Sequence, residues 1–325
     1  MPPLVSILIP AFNSQRWIAE TIRSALDQTW ARKELVIVDD GSSDATLEIA
    51  RRFASPSVRV ITQPNQGAAA ARNKAFSLCQ GDYIQWLDAD DLIAPDKIER
   101  QLAALSLCHT QRPLLSCAWG RFYRRTRKAR FDPTALWCDL SPKEWMLRKM
   151  EHGIYMQTTV WLVSRALTEA AGPWDTRLLS DDDGEYFCRV ILVSDEVHFV
   201  PDARAYYRTT GSGSLSQIGF SRKKIEAKLL SLELDIARMR ALENSERMRA
   251  ACVSHLQKYL IYFYPENPDL VGRAQSLAES LGGHLSPPRL SMKYASVQAF
   301  LGWKGAKTAQ RHYSSVRGSI LRLLD

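Results

Sequence analysis

Gln85-Trp86-Leu87-Asp88-Ala89-Asp90-Asp91 runs from an apolar stretch straight into three carboxylates within four residues. Like charges this close repel, and ionised carboxylates at the edge of a core are costly to desolvate. A hard divalent cation resolves the conflict. Asp-x-Asp at the carboxyl end of a strand suits an ion that keeps several waters and shares its shell with phosphates. A solvated acidic turn capping the next helix is the alternative on this motif alone. Three further polar clusters mark the same region: Phe12-Asn13, Asp39-Asp40 and Asn65-Gln66-Gly67. A later acidic cluster, Asp181-Asp182-Asp183, opens a stretch of helical pattern.

The elements that must position these groups alternate. Residues 5–9 form a short apolar run closed by Pro10, the pattern of a buried parallel strand. Asn13 or Ser14 can cap a helix carrying Trp17, Ile18, Ile22, Ala25 and Leu26. Residues 35–38 read as a second strand, followed by a helix capped by Ser43 or Asp44. Residues 58–62 read as a third strand, followed by an alanine-rich helix over 68–78. Residues 83–87 read as a fourth strand, and Pro95 starts a helix running to 105. Strand and helix alternate four times with short connections, which predicts an α/β fold: a Rossmann-like, mostly parallel sheet flanked by helices. Ligands of such sheets bind at the carboxyl ends of the strands. All four polar clusters of the first hundred residues follow a strand, so one shared crevice explains them better than four unrelated turns.

The phosphate cradle is not a glycine loop. No Gly-x-Gly-x-x-Gly follows the first strand, and Gly302 to Thr308 (GWKGAKT) lacks the spacing of a Walker motif. The chain has 325 residues and a formal net charge of +8. Its N-terminus lacks the basic region and long apolar core of a signal peptide, and no apolar run approaches the roughly 18 residues of a spanning helix. Six cysteines without Cys-x-x-Cys pairs suggest reduced thiols in a cytoplasmic protein. The positive charge is concentrated: Arg121 to Arg130 (RFYRRTRKAR) holds six basic residues in ten. A solvated face, anionic lipid head groups or a phosphorylated acceptor can each account for it. No helix-turn-helix, zinc-finger or RNA-recognition signature accompanies it, so nucleic acid is not an expected partner.

Five stretches in order resemble the inverting family 2 glycosyltransferases of the GT-A fold. They are VSILIPAFN from Val5, ELVIVDDGSSDAT from Glu34, NQGAAAARN from Asn65, GDYIQWLDADD from Gly81 and GPWDTRLLSDDDGEYFCRV from Gly172. The resemblance covers roughly residues 4–215. It implies a catalytic domain over 1–216, with a nucleotide-sugar half (about 1–107) and an acceptor half (about 108–216). Residues 217–325 would be a helical C-terminal extension.

The resemblance also implies roles. Pro10, Phe12 and Asn13 lie where the family's first loop meets the nucleotide. Asp39, with its neighbour Asp40, would bind base or ribose, and Arg72 the nucleotide side of the donor. Asp90 would ligate a divalent metal, Mn2+ or Mg2+, and Asp88 would hold ribose or a metal-bound water. Asp91 is expected to cap the following helix. Alignment on Arg189 makes Asp183 the general base and Asp182 its partner, with a register that can slip by one because Asp replaces the family's Glu. Arg208 or Ser212, in a mobile segment over 201–216, would touch the diphosphate.

The expected reaction moves a sugar from a nucleoside-diphosphate sugar to a hydroxyl of a glycan or lipid-linked acceptor, in bacterial-type cell-surface polysaccharide synthesis. A nucleotidyltransferase of related sheet topology and a non-catalytic nucleotide-sugar-binding protein are the competing functions. The first would need a phosphate loop after the first strand, and the intact acidic set argues against the second. Residues 221–264 read as helix. Residues 289–325 hold seven Lys/Arg and one acid among Phe300, Leu301, Trp303, Tyr313 and Ile320. Such a tail suits either packing on the catalytic domain or peripheral docking at the inner face of an anionic membrane.

Overall fold

The computed structural model describes residues 1–210, 221–288, 297, 299–303, 305–310 and 313. The chain divides into two compact units, Met1–Met146 with Tyr155–Thr209, and Leu147–Ile154 with Thr210–Asp325.

In the first unit, nine strands alternate with seven helices. The strands are β1 (Val5–Ala11), β2 (Lys33–Asp39), β3 (Val58–Thr62), β4 (Tyr83–Trp86), β5 (Leu92–Ile93), β6 (Pro113–Phe122), β7 (Arg130–Phe131), β8 (Val163–Ser164) and β9 (Glu196–Arg208). The helices are α1 (Ile18–Leu26), α2 (Thr46–Arg51), α3 (Ala68–Leu78), α4 (Lys97–Ala104), α5 (Pro142–His152), α6 (Arg165–Ala171) and α7 (Asp182–Val193); the end of α5 belongs to the second unit.

The main sheet has the order β3-β2-β1-β4-β8. Strands β1 to β4 are parallel and β8 is an antiparallel edge. Strand β1 is central because its apolar residues have no solvated side: Val5, Ile7, Leu8 and Ile9 are all fully buried. Ala11 pairs with Asp39 and Asp39 with Thr62, so three strands end level and release their loops at one edge. A second sheet, β5-β9-β6-β7, was not foreseen in the sequence. Its long strands β6 and β9 run parallel, and the pairing slips between Cys117 and Ala118. The slip admits Pro201, which cannot donate to a ladder.

The second unit adds α8 (Arg222–Leu242), α9 (Glu246–Tyr259) and α10 (Pro268–Ser280). The helix expected over 221–264 is therefore two helices. Ser245 ends the run, and its hydroxyl accepts the Met248 N–H at 3.3 Å as an N-cap. Ile225, Leu229, Leu232, Ile236 and Met239 are buried as their spacing required. No helix among the described residues is long and apolar enough to cross a membrane. Gly211, Ser212 and Gly213 and most of the basic tail lie outside the described residues.

Candidate active site

The loops after β1 and β2 are laced together. Asn13 takes a left-handed φ of +47°, donates its N–H to Ser42 Oγ at 3.0 Å and accepts the Ser43 N–H on Oδ1 at 2.9 Å. Its side-chain oxygen is thus engaged within the protein rather than offered to a ligand, and neither it nor Ser14 caps α1, which starts at Ile18. Pro10 is paired within β1 opposite Val38. Phe12, by contrast, stands 47% exposed at the mouth.

The two acidic neighbours at the end of β2 separate in role. Asp40 accepts Gln63 Nε2 at 2.8 Å, Gln66 N at 3.0 Å and Gly67 N at 2.8 Å. Both its oxygens pin the turn that opens α3, which corrects the expectation that it binds nucleotide. Gly67 starts that helix at φ +91°, a conformation that favours glycine. Asp39 is also buried, and its Oδ2 accepts Thr62 Oγ1 at 3.1 Å and Ser42 N at 3.3 Å. Its Oδ1 has no hydrogen-bond partner. A buried carboxylate oxygen left bare is costly in isolation and suits an incoming N–H or O–H.

The Asp88-Ala89-Asp90 motif and the later acidic cluster meet through Arg72. Its guanidinium contacts Asp88 at 2.8 Å and Asp182 at 2.5 Å and lies over the Trp174 ring at 4.4 Å. Burial opposes its charge, but the Asp182 and Asp88 carboxylates outweigh that and raise its pKa. Arg72 is thus a buried bridge between two carboxylates. An aromatic stack fixes the bridge. Trp174 stacks on Tyr186 of α7 at 3.9 Å, and Trp86 of β4 packs edge-on to both. Asn73 clamps the same loop by exchanging two hydrogen bonds with the Trp174 backbone, 2.8 and 2.9 Å. The start of α7 is thereby locked beside the end of β4.

At that helix start Asp181 has a left-handed φ of +60°. A Cβ on Gly184 would come within 2.8 Å of Asp181 Oδ1, so glycine is what allows the close approach. Asp183 is half-buried; its Oδ1 accepts the Gly184 N–H at 2.9 Å, and its Oδ2 lies 3.5 Å from the Tyr155 hydroxyl. Burial, then the Asp181 and Asp182 charges, push its pKa up to about 7. That value is matched to accepting a proton near neutrality. Asp182 also titrates above its ordinary range because of burial, although Arg72 pulls it down. Glu185, one turn on, is buried in a bidentate pair with Arg189 at 2.9 and 2.9 Å, so the arginine used for alignment braces α7.

One expectation beside Asp90 is corrected. Asp91 does not cap α4, whose N-cap position is Asp96. It is buried and accepts the Arg208 N–H at 2.9 Å and Thr159 Oγ1 at 3.3 Å. Burial, with the Asp90 and Asp88 charges, raises its pKa well above the usual carboxylate range. The Arg208 side chain is 1% exposed and pairs with Glu20 at 2.6 Å. Its Nε donates to the Asp90 carbonyl at 2.8 Å, and its guanidinium lies 4.5 Å from both the Trp17 and Phe122 rings. Arg208 therefore braces the Asp88-Ala89-Asp90 motif from behind, its side chain committed to these partners. Sequence reasoning missed Asn73, Tyr155 and Trp174. Asn73 and Trp174 sat inside quoted motifs, whereas Tyr155 lies in a stretch without one.

Residues 6–168 match the sequence profile of Glycosyl transferase family 2. A glycosyltransferase of uncharacterised role from Haemophilus influenzae is 45% identical over 103 residues, which cover 31% of this chain and 41% of that relative. The chain thus spans well under half of that relative's length. The S. aureus TarS structure, residues 1–349 with UDP-GlcNAc, superposes with a TM-score of 0.65 at 18% identity, covering 86% of this chain and 81% of that 1–349 fragment. The Pyrobaculum calidifontis mannosyltransferase PcManGT, with GDP-Man and Mn2+, gives 0.54 at 18% identity over 99% of this chain and 88% of that one. These likenesses establish the fold as GT-A with a helical C-terminal region. With half of its length inside the family profile and that fold around the acidic site, the chain belongs to glycosyltransferase family 2.

Proposed function

We propose that this chain is an inverting glycosyltransferase acting on a nucleoside-diphosphate sugar and a glycan or lipid-linked acceptor, at the cytoplasmic face of a membrane. The observation that carries the proposal is the bridge Asp88–Arg72–Asp182, 2.8 and 2.5 Å, with Asp183 poised at about 7 beside it. It joins a phosphate-side motif to a proton acceptor on separate elements. That arrangement serves a single in-line displacement, in which acceptor and leaving group lie on opposite sides of the sugar.

Asp39 receives the base or ribose through its unpartnered Oδ1, and Phe12, which follows the Ala11 that pairs with Asp39, offers an exposed ring. Asp183 takes the proton from the acceptor hydroxyl. Arg72 holds Asp182 in place through their ion pair, which leaves Asp183, beside it, to face the acceptor. Asp88 and Asp90 fit a small divalent ion, Mn2+ or Mg2+. They supply hard oxygens at the carboxyl end of β4. A Mn2+ or Mg2+ ion held by two carboxylates would complete its shell with water and phosphate. When bound, the ion supplies Lewis-acid stabilisation of the departing diphosphate. Peripheral contact with an anionic membrane, through the basic residues beyond 288, belongs to the same proposal.

Thermal shift with UDP, GDP and dTDP, with and without Mn2+, tests it. One diphosphate should stabilise the protein in a metal-dependent way, and Asp90→Ala should lose the metal-dependent part while remaining folded. No stabilisation by any of the three, or an unchanged metal effect in Asp90→Ala, overturns it.

A further inference from the structure

We infer that the acceptor is an anionic glycan, held along one face of the second sheet with its accepting sugar against Trp119, Tyr155 and Tyr207 and its acidic group on Arg121 and Arg130. This rests on the transferase proposal and specifies its second substrate.

The face is built by strand alternation. Trp119 and Arg121 are two apart on β6 and point the same way. Tyr207 of β9 is level with Arg121, and Arg130 of β7 is directly opposite it. Trp119, Tyr155 and Tyr207 form a mutual edge-to-face trio with centroid separations of 5.9, 6.1 and 6.3 Å. One end of the trio meets the proposed base, since the Tyr155 hydroxyl is 3.5 Å from Asp183 Oδ2. The other end meets positive charge, since the Arg121 guanidinium lies 5.2 Å over the Trp119 ring. A path of aromatic surface thus connects the catalytic carboxylate to a basic edge.

One feature of this path lacks a structural purpose. Arg121 and Arg130 are exposed like charges directly opposite across an antiparallel pair, an arrangement that is destabilising by itself. Neither forms an ion pair with a carboxylate among the described residues. An anion lodged between them offsets the repulsion with charge-assisted bonds. Arg124, Arg125, Arg127 and Lys128 extend the exposed basic edge and draw an anionic chain toward it. A membrane surface would also be attracted, but it makes no use of a wall that leads to Asp183, so the glycan is the occupant the geometry favours.

The test measures binding of maltose 1-phosphate, maltose and inorganic phosphate to the full chain by calorimetry at low salt, with phosphatidylglycerol vesicles in parallel. Wild type should bind the sugar phosphate at least about tenfold more tightly than either component. The double variant Arg121→Gln/Arg130→Gln should erase the advantage over maltose, and Trp119→Phe should weaken both sugars without unfolding the protein. Sugar phosphate bound no better than phosphate alone reduces the face to an anion patch and overturns the inference. So does a double variant that releases the vesicles yet keeps full sugar-phosphate affinity, which would make the edge a lipid contact. Loss of the nucleoside-diphosphate melting shift in wild type would sink the transferase proposal instead, and the sugar-phosphate comparison reads out independently of it.

Discussion

Replacing Arg72 by glutamine removes the shared counter-charge of Asp88 and Asp182. The guanidinium is 5% exposed, and its partners' side chains are 31% and 17% exposed. Breaking a buried pair by deleting one partner costs about 3–5 kcal/mol. Asp88 is near enough to solvent to regain hydration, so we expect the lower end, about 3 kcal/mol at pH 8. The loss should depend on pH with a defined sign. Arg72 lowers the pKa of Asp182, which burial already raises, so the variant's folded state holds that proton more tightly still. A carboxyl whose folded pKa lies above its unfolded value costs stability progressively between the two values, and the cost is complete above the folded one. The deficit should be small near pH 4, grow as pH rises through the folded pKa, and be complete above it. Urea unfolding followed by tryptophan fluorescence reports it, because Trp174 stacks beneath the guanidinium. A deficit below about 1 kcal/mol at pH 8, or an equal deficit at pH 5 and pH 8, would refute the bridge as the element holding the two motifs together.

The rate of transfer should rise with pH through about 7, where Asp183 ionises, and Asp181→Asn should move that limb to lower pH by removing a neighbouring charge; a limb that stays put contradicts the assignment. Asp39→Ala should weaken nucleoside diphosphate binding by roughly 10–100-fold, because the hydrogen bond it removes is to a charged acceptor; unchanged affinity by calorimetry would show that its bare Oδ1 faces no ligand. Lys97 is fully buried among Gln85 Oε1 at 2.5 Å and Gln101 Oε1 at 2.7 Å, and burial lowers its pKa to about 8 from 10.5. Its charge therefore costs stability below about pH 8, and the cost disappears toward pH 10.5, a gain on the order of 3 kcal/mol. Lys97→Met should flatten that part of the stability profile measured by urea unfolding, and identical slopes in variant and wild type would contradict it.

Much of the fold was legible because its signals are local. Apolar runs such as Val5 to Ile9 can only be buried strands, and the polar residues after them mark the edge where ligands gather. The parallel sheet and the place of Asp88 and Asp90 at the end of its fourth strand followed from that, whereas Asp183 was singled out by the family resemblance. What escaped was set by distance in the chain. Nothing near Arg72 indicates that its partners are Asp88 and Asp182, and an arginine among alanines reads as exposed. Arg208 sits in a segment that ends in glycines, so it reads as a loop residue. Its burial depends on Glu20, Trp17 and Phe122, which come from three distant elements. Asp40 and Asp91 show the same limit: each is acidic beside a candidate site acid, yet each accepts backbone N–H groups from a distant stretch of chain.

The central claim is that Asp183 removes the acceptor's proton. Turnover of Asp183→Asn at saturating donor tests it most directly, because asparagine keeps the shape and abolishes the basicity. We predict a fall of roughly 10²–10⁴-fold with the metal-dependent nucleoside diphosphate melting shift intact, and a smaller loss in Asp182→Asn. Near-normal turnover in Asp183→Asn would contradict the account, and a dead Asp182→Asn beside it would move the base one residue back.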